Sequence, residues 1–151
     1  MIDGLKAESL IVKIVKGEKS GGNKPHDIDL KDGTKVEVKF ANLHTPNPVS
    51  PTKRWLWHRV YGNKKMKDYR YLVLIGEKDT RYQPIDDDNS RFVFFLLDSY
   101  QIANVTTNDP RGTIYLTTNP RKTQNRRGEI LWSYRKKLQE IKKFFKNVVK
   151  E

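Results

Sequence analysis

The chain has 151 residues, enough for one domain with a substantial core and too few for two comfortable ones. Hydrophobic residues at 36% and aromatics at 11% exclude disorder throughout; there is no bilayer-length apolar run, no basic flank with an apolar stretch at the start, and no cysteine. Thirty Lys+Arg against eighteen Asp+Glu leave a net charge of +12, which favours a polyanion: nucleic acid first, an anionic membrane surface second. The expectation is a cytoplasmic protein with no membrane span, no signal peptide, no disulfide and no thiolate metal site.

Taken in chain order, Asp3 can cap a helix from about Gly4, with Ala7, Leu10, Ile11 and Ile14 at helical spacing. Gly17 and the run SGGNKP end it and lead to a hairpin over Asp27–Phe40. The three prolines of ANLHTPNPVSP suit a surface loop. TKRWLWHRVYGNKKMKD reads as a short helix that breaks at Gly62-Asn63. YRYLVLIGE and RFVFFLLDSY are the third and fourth strands, nearly continuous in apolar residues, as expected for strands covered on both faces. They are expected to be parallel neighbours. Ile102 to Lys122 reads as a second hairpin joined through Asn108–Gly112, followed by the basic loop TQNRRGE. A closing amphipathic helix from about Glu129 places Leu131, Tyr134, Leu138, Ile141, Phe145 and Val148 on one stripe. Its lysines, Lys136, Lys137, Lys142, Lys143 and Lys146, form a solvated back. The order predicts a mixed β-sheet flanked by helices in a single α/β domain, 1–151.

The first hairpin carries the chemistry. A two-residue turn at Asp32-Gly33 would mix charge and hydrophobe on both faces of the sheet. A three-residue loop, Lys31-Asp32-Gly33, with Gly33 in the left-handed region, pairs Leu30 with Thr34, Asp29 with Lys35, Ile28 with Val36 and Asp27 with Glu37. Only this register separates Ile28, Leu30, Val36, Val38 and Phe40 from Asp27, Asp29, Glu37 and Lys39. It sets Asp27 opposite Glu37, Cβ atoms roughly 5 Å apart, so the two anions call for a cation between them. Mg²⁺ or Mn²⁺ is a hard ion suited to one or two carboxylates plus water and phosphate. Lys39 projects from the same face and can contact the scissile phosphate or hold a water, which together matches metal-assisted phosphodiester hydrolysis.

Asp27 followed ten residues later by Glu37-Val38-Lys39 resembles the catalytic motif of the PD-(D/E)XK nucleases, the restriction-endonuclease-like superfamily. The resemblance covers roughly residues 1–100 and implies that Asp27 and Glu37 bind the metal while Lys39 assists the water. It further implies an acid on the first helix, for which Glu8, at the edge of that helix's apolar face, is the candidate third ligand and catalytic residue. The family's Pro-Asp pair is here Pro25-His26-Asp27, which leaves Asp29 as the alternative acid; facing Lys35, Asp29 also suits a plain ion pair on the sheet. Size, basicity and an extra ribbon resemble the intron-encoded homing endonucleases of bacterial group I introns, which implies a homo-oligomer, dimer or tetramer, on double-stranded DNA. A Holliday-junction resolvase and a non-catalytic nucleic-acid-binding module are the alternatives.

The expected DNA path is lined by Lys53, Arg54 and Arg59 around Trp55 and Trp57, which pack in the core, and by Lys64 and Lys65 on phosphates. His26 and His58, without a partner at i+4, read as structural residues or phosphate contacts. Residues 101–128 form the expected DNA-reading ribbon, with Arg111, Arg121, Lys122, Gln124, Arg126 and Arg127 as contacts, since Arg pairs with guanine and Gln with adenine in the major groove. Residues 129–151 form the closing helix.

Overall fold

A computed structural model describes residues 18–19, 28–30, 33–45, 52–61, 69–122 and 125–150. The expected first helix, including Glu8, lies outside the described residues, as do Asp27, His26, Lys64, Lys65 and Gln124. The described residues form a mixed α/β structure of two sheets and two α-helices. The strands are β1 (Glu18–Lys19), β2 (Ile28–Asp29), β3 (Lys35–Ala41), β4 (Arg54–Trp57), β5 (Tyr71–Glu77), β6 (Phe92–Asp98), β7 (Ile114–Thr117) and β8 (Arg135–Lys136). The helices are α1 (Arg126–Ser133) and α2 (Leu138–Lys150). The larger sheet has the order β1-β2-β3-β5-β6-β8, and β4 pairs with β7 in a separate two-stranded ribbon.

The β2–β3 hairpin has the register that segregates charge from hydrophobe. Ile28 pairs with Val36 and Asp29 with Lys35, antiparallel, and the Leu30 N–H donates to the Thr34 carbonyl at 2.8 Å. Gly33 has φ +88°, the left-handed conformation that a three-residue loop with a bulge requires. β1, in a segment expected only to connect helix and hairpin, pairs antiparallel with β2 and extends the sheet.

β3 and β5 are parallel, with Glu37 beside Leu72 and Lys39 beside Leu74. β5 and β6 are buried from Leu72 to Gly76 and from Val93 to Leu97, so both faces of the central strands are covered, as their apolar runs predict. Their pairing corrects the expected orientation: β5 and β6 are antiparallel, Tyr71 opposite Asp98 and Glu77 opposite Phe92. The connection 78–91 holds only a 3-10 turn at Ile85–Asp87, and without a crossover element the chain must return antiparallel. That connection is anchored by Lys78, whose buried ammonium donates to Asp87 at 2.7 Å and to Asp88 at 2.6 Å.

Two cores sandwich the sheet. On one face Ile28, Leu30, Val36, Val38, Val73, Ile75, Phe94 and Leu96 meet Ile141 and Phe145 of α2. On the other, Ala41, Leu72, Leu74, Phe95 and Leu97 meet Trp55 and Trp57 of β4, Ile114 and Leu116 of β7, and Leu131 of α1.

Three further expectations are corrected. The segment around Trp55 is a strand, not a helix. Trp55 and Trp57 are both fully buried while Arg54 and Leu56 are only half-buried, a period of two; a helix would turn the two indoles about 200° apart. The second hairpin does not form. Ser99–Asn104 is a 3-10 helix whose Gln101 side chain accepts from the Asp98 N–H at 2.8 Å, and β7 pairs antiparallel with β4. The closing helix is two helices. Between them Arg135 and Lys136 pair with Phe95 and Phe94 at the outer side of β6, where they satisfy strand hydrogen-bonding groups. The apolar stripe is divided accordingly, Leu131 to one core and Ile141 and Phe145 to the other. On α2, Lys142, Lys143 and Lys146 are exposed, the solvated back expected of it.

Candidate functional site

β3 brings Glu37 and Lys39 together. Val36 and Val38 face the α2 core, so the alternating Lys35, Glu37 and Lys39 share the opposite face, the one on which the ribbon packs. Glu37 is 1% exposed, and Lys35 and Lys39 are half-buried on either side of it. Burying a carboxylate is costly without compensating charge, so a lysine at i−2 and another at i+2 make this face suited to an anion ringed by cations.

Tyr69, two residues before β5, is buried in the core on the ribbon side of the sheet. Burial, with a smaller contribution from the negative charge of Glu37 nearby, pushes its phenol well above the ordinary range, and its hydroxyl donates to the Val60 carbonyl at 3.2 Å. The acid is thus lodged beside the chain that leaves β4. At the other end of β3, His44 and Arg54 exchange backbone hydrogen bonds at 2.9 and 2.8 Å, which ties the strand of the acid directly to the ribbon.

The other members of the expected constellation are distributed unevenly. Asp29 sits opposite Lys35 in the β2–β3 ladder. Asp27 and Glu8 lie outside the described residues, and among the described residues no group of three or more His, Asp or Glu side chains could hold a metal. Of the three expected ligands, Glu37 is the one among the described residues, a carboxylate oxygen donor of the type a hard divalent cation takes.

The expected DNA contacts fall into three places. Arg54 lies on the outward face of β4, and Arg127, in the first turn of α1, approaches the same spot; Arg126 is exposed beside it. Lys53 and Lys122 line a small cleft with Tyr82 and Asn119, and Arg121 is exposed in the adjoining 3-10 turn Pro120–Lys122. Arg59 and Arg111 line an open cleft of about 600 Å³ with His58, Asp109 and Thr113. Arg59 adopts φ 56°, unusual outside glycine, and His58 and Arg59 are both exposed there. The 101–128 segment is therefore not a ribbon by itself: among its described residues only β7 is a strand, and its partner is β4.

Tyr115 is the residue that sequence reasoning passed over. It alternates with the buried Ile114 and Leu116 and so faces outward, where the Arg54 and Arg127 guanidinium carbons lie 6.0 and 5.8 Å from its ring centroid. The signal present in the sequence was the alternation in Ile114-Tyr115-Leu116-Thr117. Finding its neighbours required knowing that β7 lies on β4.

No family model matches the chain, and no curated protein matches it. Among the described residues no helix is long and apolar enough to cross a membrane.

Proposed function

We propose that this protein is a metal-dependent endonuclease of double-stranded DNA with a restriction-endonuclease-like fold. The observation that carries the reading is the placement of a buried Glu37 between Lys35 and Lys39 on one face of a mixed sheet, in the hairpin register that segregates acids from hydrophobes. The net charge of +12 supports a nucleic-acid substrate.

In this reading Glu37 is the carboxylate ligand contributed by β3, with Asp27 as the second and Glu8 as a third. A bound Mg²⁺ or Mn²⁺ would supply Lewis acidity toward the phosphate and a water of lowered pKa. Lys39 holds the attacking water or a non-bridging phosphate oxygen, and it stands two residues from Glu37 on the same face of a strand that β5 pairs along both positions. Lys35 adds positive potential on the same face. One chain carries one such site and a duplex has two strands, so a symmetric dimer or tetramer would cut both. The basic ribbon beside the site fits a long recognition sequence, which is the homing-endonuclease form of this activity.

Incubating the full chain with a diverse duplex library and Mg²⁺, followed by sequencing of the ends, tests the proposal. Double-strand cuts at one long sequence, lost in Glu37→Gln, are the expected result. Cleavage of four-way junctions regardless of sequence would make the protein a Holliday-junction resolvase. Binding without cutting would leave it a nucleic-acid-binding module.

A further inference from the structure

The β4/β7 ribbon has one face built into the core and one face turned outward. On the inner face Trp55, Trp57, Ile114 and Leu116 are at most 1% exposed. Two indoles pin the ribbon to β5: Trp55 Nε1–H donates to the Glu77 carbonyl at 2.7 Å and Trp57 Nε1–H to the Ile75 carbonyl at 3.0 Å. The ribbon is therefore a rigid mount, the kind of support that a recognition surface needs.

The outward face is set by register. Leu56 pairs with Tyr115 and Arg54 with Thr117, so Arg54 reaches the Tyr115 ring along the diagonal of the ladder. Arg127 approaches the same ring from α1, and its guanidinium also meets the Tyr115 hydroxyl at 3.5 Å. Asn125, the cap of α1, donates to that hydroxyl at 3.4 Å while its Oδ1 accepts from the Gly128 N–H at 2.8 Å. One tyrosine thus positions two guanidinium groups and is itself held by a helix cap.

Two cations on one ring repel, and an arginine stacked on a solvent-accessible aromatic gains only a weak attraction from it. Among the described residues neither Arg54 nor Arg127 has an acidic partner; Arg127 donates at 3.5 Å to the Thr106 carbonyl and to the Tyr115 hydroxyl, and Arg54 Nε is buried, which leaves the terminal nitrogens of the Arg54 guanidinium to meet a ligand. Such an arrangement has donors to spare and lacks an anion with acceptors. Duplex DNA supplies both, and its major groove admits a two-stranded ribbon, guanine offering two acceptors to one arginine.

We propose that the outward face of the β4/β7 ribbon, with Tyr115 positioning Arg54 and Arg127, reads base edges in the major groove of duplex DNA. Leu56, half-buried opposite Tyr115, supplies apolar contact of the kind a thymine methyl meets. The inference rests on the DNA-binding part of the function proposed above but not on cleavage.

The test selects bound sequences from a randomised duplex library with the full chain in EDTA, so that binding is read without cutting. The wild-type chain is expected to select a sequence containing guanine at fixed positions. Arg54→Lys keeps the charge and loses the fork. It is expected to lose roughly tenfold or more of its preference at one guanine while its affinity for non-selected duplex and its salt slope stay unchanged. Tyr115→Leu is expected to relax the same position, and Tyr115→Phe to restore most of the preference because the ring remains. Thermal melting of each variant separates this loss from unfolding, and Arg54→Lys, which keeps the charge at a half-buried position, keeps the test open should Tyr115→Leu fail to fold. A wild-type chain without sequence preference overturns the proposal, as does an Arg54→Lys variant with the wild-type profile. So does a uniform loss of affinity with a shallower salt slope, which would make the face a phosphate contact. Selective binding by a chain that never cuts in Mg²⁺ would instead overturn the nuclease reading and leave this one standing.

Discussion

The indole of Trp55 occupies the space that a side chain at Gly76 would need. A Cβ at Gly76 would stand 2.5 Å from Trp55 Nε1, and Trp55 donates its hydrogen bond to the carbonyl of the next residue, Glu77, at 2.7 Å. The ribbon thus rests directly on the backbone of β5. Gly76→Ala is expected to lift it and cost about 1–3 kcal/mol, as overpacking of a filled core does. Urea denaturation measures the loss, and the near-ultraviolet signal of the tryptophans should change with it.

Glu37→Gln and Lys39→Ala are expected to abolish cleavage, by roughly a hundredfold or more, with little loss of stability or duplex binding. Glutamine keeps the volume of the buried side chain and removes a charge whose desolvation is costly. Asp27→Asn should behave like Glu37→Gln, whereas Asp29→Asn, opposite Lys35, should keep measurable activity. Single-turnover cleavage of each variant is the measurement, and near-wild-type cutting by Glu37→Gln would sink the site assignment. Glu8→Gln is expected to shift the Mg²⁺ titration to higher concentration.

Asp87 gives a pH dependence with a definite sign. Burial by itself would raise its carboxyl, but hydrogen bonds from Lys78 and Arg135 outweigh that and hold it at about 2, below the ordinary 3.8. A depressed carboxylate stabilises the fold above its unfolded value, and the contribution is lost as pH falls from about 4 through 2. Asp87→Asn should therefore be less stable than wild type at neutral pH, the difference closing below pH 2. Acid titration followed by circular dichroism reads both curves. A constant difference down to pH 1 would show that the network through Arg135, 2.8 Å from Asp87, does not act through charge.

Arg121 and Lys122 stand exposed on a 3-10 turn, and Lys122 lines the small cleft that also includes Lys53 and Thr117. Replacing either with Ala should weaken binding to all sequences alike and reduce the slope of log affinity against log salt by about one unit. A change of sequence preference in Lys122→Ala would instead move base recognition toward the cleft it shares with Lys53.

Local alternation was enough to determine the hairpin. With a side-chain period of two, only one register keeps Ile28, Val36 and Val38 together and sets Glu37 and Lys39 apart from them, and Gly33 marks the loop that produces it. The apolar runs of β5 and β6 were legible for the same reason, since a strand buried on both faces has no polar alternation to obscure it. The partner of Arg54–Trp57 was not. Strand pairing between β4 and β7 joins residues far apart in the chain, and nothing local in either segment names the other; TKRWLWHR carries enough apolar residues to pass for a helix until both indoles must be buried together. The interruption of the closing helix was equally hidden. An apolar stripe continues through Tyr134, and only the presence of β6 alongside, with backbone groups to be satisfied, makes Arg135 and Lys136 a strand. The sequence by itself determined which residues face together on each strand, because that follows from backbone periodicity. Which distant strands meet, and therefore which arginines gather around Tyr115, was decided by the tertiary structure, through burial that no single segment can satisfy alone.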